Sequence, residues 1–106
     1  MRQIMVRYSV KPERTDENEQ LIRDVYAELA RTTPAGIRYA TFRLADGVSF
    51  MHLASVETDD GTNPLSQVAA FQRFQEGIED RCDGRPVVSD LRAIGSYRML
   101  GDGPAR

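Results

Sequence analysis

What most constrains this chain is a change of hydrophobic period that happens twice. Stretches where apolar and polar residues alternate mark half-buried strands. They bracket stretches where apolar residues recur at helical spacing. Residues 3–10 alternate, with Ile4, Val6, Tyr8 and Val10 on one face and Met5, Arg7 and Ser9 on the other. Pro12 ends that run, because proline cannot donate to a strand ladder. Thr15 or Asp16 then offers a helix cap, and Asp16 with Glu19 imitates a capping box. Leu21, Ile22, Val25, Tyr26, Leu29 and Ala30 form one apolar stripe, which stops before Pro34 and Gly36.

The theme then repeats. Residues 37–44 read as a second strand and residues 48–58 as a third. Between them Ala45-Asp46-Gly47 reads as a three-residue hairpin loop with a bulge at the glycine. That register sets Ala40 against His52 and Phe42 against Phe50. A two-residue loop would instead oppose Thr41 to His52 and Arg43 to Phe50, since a one-residue slip exchanges every neighbour. Asn63-Pro64 reads as an N-cap and first helical residue. Leu65, Val68, Ala69, Phe71, Phe74, Ile78 and Cys82 continue as a second amphipathic helix, with Gly77 inside it. Residues 87–94 form a fourth strand, extended by 96–100 past Gly95.

Strand, helix, strand, strand, helix, strand is the ferredoxin-like βαββαβ order. It predicts an α+β domain over residues 1–100, with a four-stranded antiparallel sheet carrying both helices on one face. Residues 101–106 are expected to be a disordered tail. The strands are apolar on both faces: in the third, Phe50, Ala54 and Val56 lie on one side, Met51 and Leu53 on the other. A sheet apolar on both faces needs a second cover, and a second copy of the chain is the simplest. The expectation is a homodimer through the sheet face.

Composition narrows the function. A net charge of -2 argues against a nucleic-acid partner. No apolar run approaches the length of a membrane span, and the alternating N-terminus is unlike an export signal. A lone cysteine, Cys82, excludes a disulfide framework, so the expected compartment is the cytoplasm. With His52 the only histidine, no metal site is expected.

Three segments then resemble a known family. MVRYSVKPE at 5–13 with DENEQLIRDVYAEL at 16–29, GIRYATFRLADGVSFMHLASVET at 36–58, and NPLSQVAAFQRFQEGIEDRC at 63–82 are similar to antibiotic biosynthesis monooxygenase-like proteins. The resemblance implies the dimeric α+β barrel. It also implies a cofactor-independent monooxygenase-type oxidoreductase acting on a small aromatic, quinol or polyketide-type molecule. A haem-degrading branch uses an asparagine, a tryptophan and a second-helix histidine. This chain has no tryptophan and no histidine in that helix, so no cofactor is expected. The alternatives are a non-catalytic ligand-binding or stress-associated barrel, or an accessory subunit that has lost activity.

The candidate residues come from the sequence itself. His52, mid-strand between Phe50 and Ala54, reads as a catalytic base or as a structural histidine. Tyr39 and Tyr8 read as groups that orient a substrate oxygen or as sheet anchors. Phe50, Phe71 and Phe74 read as the lining of an aromatic pocket or as plain core. Arg7, Arg38 and Arg43 sit on strands, either to clamp an anion or to guard an edge. Cys82, followed by Asp83, reads as an unreactive thiol raised by nearby acid.

Overall fold

The alternation at the N-terminus forms β1, Arg2–Ser9. A computed structural model describes residues 1–99 of the chain. Tyr8 is buried and Arg7 exposed, as period two requires. Val10 continues beyond the strand only as an isolated bridge to Cys82. A 3-10 turn at Pro12–Arg14 leads into α1, Thr15–Thr32. The expected capping box is not made. The helix begins at Thr15, whose hydroxyl donates to the Pro12 carbonyl (3.2 Å), and Glu19 instead accepts from Arg23 and Arg43.

Strands β2 (Ile37–Arg43) and β3 (Ser49–Val56) pair antiparallel, with Thr41 opposite His52 and Arg43 opposite Phe50. This overturns the bulged loop that set Ala40 and Phe42 against those residues. Asp46 is the cause. Its carboxylate accepts the N–H groups of Val48 (3.0 Å) and Ser49 (2.8 Å) and the Ser49 hydroxyl (2.6 Å). The connection therefore spans residues 45–48, and the Leu44 N–H donates to the Ser49 carbonyl (2.8 Å). Gly47 takes the left-handed position with φ +79°. Tyr39 and Thr41, rather than Ala40 and Phe42, thereby share the face of His52.

The second helix is not one run. It divides into a 3-10 turn at Pro64–Gln67, then α2 (Ala69–Gln75) and α3 (Ile78–Arg81). Asn63 does cap the turn, its side-chain oxygen accepting the Leu65 N–H (3.0 Å). The break falls at Gly77, φ +71°, a conformation costing other residues roughly 1–2 kcal/mol. The residue before α2, Val68, offers no capping side chain. Glu28 of α1 reaches across instead, accepting the N–H groups of Ala69 (3.1 Å) and Ala70 (2.8 Å). A helix this short does not hold by itself, so the shared cap ties α2 to α1.

Strand β4, Val87–Leu91, pairs with β1 and is shorter than the expected 87–94. Residues 96–99 add no strand, and Leu100 with the tail 101–106 lies outside the described residues. The sheet order is β2-β3-β1-β4, antiparallel throughout, which is the ferredoxin-like arrangement. α1 and α2 bury Ile22, Val25, Val68 and Phe74 against Tyr8 and Phe50 of the sheet. The opposite face carries Met5, Leu53, Met51, Ala40 and Phe42 in register, with Val87 and Leu91 beside them on the edge strand.

Candidate functional site

Under the helices, the alternation of three strands aims polar side chains at one point. His52 projects from β3 toward the helices and is 5% exposed. Its neighbours in register are Val6 on β1 and Thr41 on β2. The Tyr8 hydroxyl lies 2.7 Å from Nε2. The Tyr39 hydroxyl lies 2.6 Å from Nδ1 and the Thr41 hydroxyl 3.1 Å from the same atom. Three further contacts extend the network in two directions. Asn18 of α1 donates its amide N–H to the Tyr8 oxygen (3.1 Å) and accepts from Arg81 Nε (3.0 Å). On the other side Thr41 meets the Tyr26 hydroxyl at 2.8 Å.

Aromatic rings wall this network. His52 stacks on Tyr8 (5.3 Å between centroids) and lies 5.3 Å from Phe74 and 5.7 Å from Tyr39. Phe71 meets Tyr39 edge-on, and Tyr8 stacks on Phe50. The histidine and the five aromatic candidates of the sequence, His52, Tyr39, Tyr8, Phe50, Phe71 and Phe74, therefore form one cluster on the helix-covered face. Burial shapes its protonation, because low-dielectric surroundings disfavour the charged form. The His52 imidazolium pKa is pushed down to about 4 by burial. The Tyr26 hydroxyl is pushed up to about 12 by burial, with the Thr41 hydrogen bond partly offsetting it. Burial raises Tyr8 and Tyr39 as well. All of these groups are neutral near pH 7.

Arg81 is 2% exposed, and its side-chain hydrogen bonds go to uncharged acceptors. Besides Asn18 it donates to the carbonyls of Phe74 (2.6 Å) and Glu76 (3.1 Å), the ones freed at the Gly77 break. Its guanidinium also lies over the Phe74 ring at 5.2 Å. The Cys82 thiol beside it is raised by burial rather than by neighbouring acid, and Arg81 pulls it back.

The cluster approaches the surface at a groove of about 530 Å³ between α1 and β2. Phe50, Ile22, Tyr26 and Thr41 line it, with Glu19, Arg23 and Arg43 on its walls. Glu19 is held by Arg23 (2.7 Å) and Arg43 (2.9 Å). Of Arg7, Arg38 and Arg43, Arg43 alone lines this groove. Arg38 pairs with Glu57 beside the open sheet face, and Arg7 is exposed on that face. Among the described residues no group of three or more His, Cys, Asp or Glu could hold a metal ion. No helix there is long and apolar enough to cross a membrane.

Compared by sequence, the chain matches no protein-family model and no curated protein. Compared by structure, it resembles a crystallised antibiotic biosynthesis monooxygenase with a TM-score of 0.71 at 19% identity, over 90% of this chain and 100% of that one. A Nitrosomonas europaea protein provisionally given the same name aligns with a TM-score of 0.70 at 16% identity, over 88% of this chain and 89% of the other. PA3566 from Pseudomonas aeruginosa aligns with a TM-score of 0.70 at 18% identity, over 89% and 94%. The chain shares the fold of these proteins.

Within that fold, sequence reasoning missed four members of the site: Asn18, Thr41, Tyr26 and Arg81. Asn18 stands three and four residues before Leu21 and Ile22, and Arg81 three after Ile78. Both therefore lie on the apolar stripes of their helices. A polar residue on such a stripe is the signal that would have found them, because it must be buried and satisfied. Thr41 was hidden by the hairpin register alone.

Proposed function

We propose that the chain is a cofactor-independent oxidoreductase of monooxygenase type, acting on a small aromatic molecule of quinol or polyketide-phenol character bound between α1 and β2. One observation carries this reading: the groove is lined by Phe50, Tyr26 and Thr41, and the Tyr26–Thr41 hydroxyl pair connects through Thr41 to His52. Its volume, about 530 Å³, suits a ligand of a few rings. Arg43 and Arg23 give the walls positive charge, which favours a ligand carrying an anionic oxygen.

In oxygenation without a cofactor the substrate is itself the reductant. Its phenolate or enolate hands an electron to dioxygen, so the protein's task is to stabilise that anion with fixed donors. His52, whose conjugate acid has a pKa of about 4, is a weak base at neutral pH. In this reading His52 and Tyr39 act as neutral hydrogen-bonding groups behind Thr41. Tyr8, Phe71 and Phe74 hold the imidazole, and Phe50 meets the ligand. A second copy of the chain covers the open sheet face over Met5, Met51 and Leu53. Its test is sedimentation, where Leu53→Glu converts a dimer to a monomer.

Oxygen uptake with naphthoquinols and anthrone-type phenols tests the activity. Removing a fixed donor by Thr41→Val lowers turnover about a hundredfold. No uptake above the uncatalysed rate with any of these compounds overturns the reading. A second reading, a ligand-binding protein without turnover, is favoured by the enclosure of His52 and the occupation of both its ring nitrogens. Binding of the same compounds with no oxygen consumed would decide for it.

A further inference from the structure

We propose that Asn18 and Arg81 are positioning residues that hold His52 in its Nδ1–H form, so that the groove offers a hydroxyl donor to an acceptor oxygen. The ligand class that follows is a phenolate or a quinone carbonyl. The ligand half of this proposal rests on the groove reading above.

The direction of each hydrogen bond can be worked outward from the buried end. Arg81 can only donate, so the Asn18 oxygen faces Arg81 Nε (3.0 Å) and the Asn18 N–H faces Tyr8 (3.1 Å). Tyr8 is thereby an acceptor toward Asn18. Its own hydrogen has His52 Nε2, 2.7 Å away, as its acceptor. Were Nε2 to carry the proton, the Tyr8 oxygen would accept from both Asn18 and Nε2, and its own hydrogen would have no acceptor among its contacts in a buried site. Nε2 therefore accepts. A neutral imidazole has one proton, so Nδ1 carries it.

That choice sets what reaches the groove. Three hydroxyls meet beyond Nδ1. Tyr39 lies 2.6 Å and Thr41 3.1 Å from it, and Tyr26 lies 2.8 Å from Thr41. A bare Nδ1 absorbs one hydroxyl hydrogen, from Tyr39 or Thr41, and the Thr41–Tyr26 contact absorbs another. With a proton on Nδ1 the nitrogen takes none, so one more hydroxyl hydrogen is free than with a bare Nδ1. Tyr26 and Thr41, two of the three hydroxyls, line the groove, and in this proposal the freed hydrogen is offered there. Glu19, the carboxylate on the groove wall, is already held by Arg23 and Arg43.

The sole histidine makes the test direct, since histidine-selective ¹⁵N labelling gives one ring's signals. The expected spectrum has a proton-bearing, pyrrole-type Nδ1 and a pyridine-type Nε2. Asn18→Asp keeps the size but only accepts. It takes the Tyr8 hydrogen, Tyr8 then accepts from Nε2–H, and the tautomer inverts. 4-Nitrophenol, whose absorbance distinguishes phenol from phenolate, binds the native protein as the phenolate and binds the inverted variant at least about tenfold more weakly. A native Nε2–H, or an unchanged tautomer in Asn18→Asp, overturns the proposal. Expected spectra with nitrophenolate bound by neither protein overturn its ligand half together with the groove reading. If Asn18→Asp does not fold, the native spectrum and nitrophenolate binding by Thr41→Val still decide, with loss of binding expected in the latter.

Discussion

His52 should make the stability of this protein fall steeply on mild acidification. Its ordinary pKa of 6.5 is lowered to about 4 in the folded chain by burial. Above pH 6.5 both folded and unfolded forms are neutral, and the histidine contributes no pH dependence. As pH falls through 6.5 the unfolded chain takes up a proton that the folded chain refuses. Stability is lost until the pH reaches about 4, where the folded form also protonates. From pH 7.5 to 4.5 the loss comes to roughly 2–3 kcal/mol, at 1.36 kcal/mol per pH unit on the steep part. The carboxylates lowered by hydrogen bonds, Glu17, Glu19, Glu28, Asp46 and Asp60, begin from ordinary values of 4.5 or 3.8. Their losses therefore fall mostly below this window. Urea unfolding followed by circular dichroism at fixed protein concentration should show the midpoint dropping by about 1–2 M over that range. His52→Gln, which cannot titrate, should flatten the curve while lowering it. Equal slopes in the two proteins, or a flat native profile, would refute the argument.

Three further outcomes follow from named contacts. Arg81→Leu strands Asn18 and the carbonyls of Phe74 and Glu76. It should cost about 3 kcal/mol or more, read as a large drop in Tm. Gly77→Ala forces a Cβ into the left-handed conformation and should cost about 1–2 kcal/mol in urea unfolding without changing the sheet's circular dichroism. Glu28→Ala removes the acceptor of two N–H groups, so amide exchange at Ala69 and Ala70 should quicken selectively. In the native chain those hydrogen bonds, Ala70 before Ala69, hold the Glu28 carboxyl below its ordinary value. The same quickening should therefore appear as pH falls below 4.5 toward that lowered value.

Period and punctuation made the architecture readable. The alternation in residues 3–10, the Leu21–Ala30 stripe and the breaks at Pro12 and Pro34 are local signals, and each element they mark is present. The failures have local causes of another kind. Asp46 chose the hairpin register through three hydrogen bonds made by one side chain, and a hydrophobic pattern is blind to that. The long second helix broke because Gly77 permits a left-handed turn and Arg81 satisfies the freed carbonyls. Neither residue is informative without the other. A glycine in a helix reads as a modest cost until something else in the fold rewards the break.

The same pairing explains why the site was half visible. Aromatic residues and the sole histidine announce themselves by type, and facing positions on adjacent strands brought them together. What gives the cluster direction is a chain of hydrogen bonds whose inner end, Arg81 on α3, lies 63 residues from Asn18 and is placed by the break at Gly77. A continuous helix would have satisfied the carbonyls of Phe74 and Glu76 itself and carried Arg81 elsewhere. The broken helix therefore does two things at once: it buries a cation with uncharged partners, and it orients Asn18, hence Tyr8, hence His52. Buried polar groups tolerate no spare donors. A single fixed donor at one end consequently sets the imidazole tautomer, and with it the number of hydroxyl hydrogens free at the other, where the groove opens.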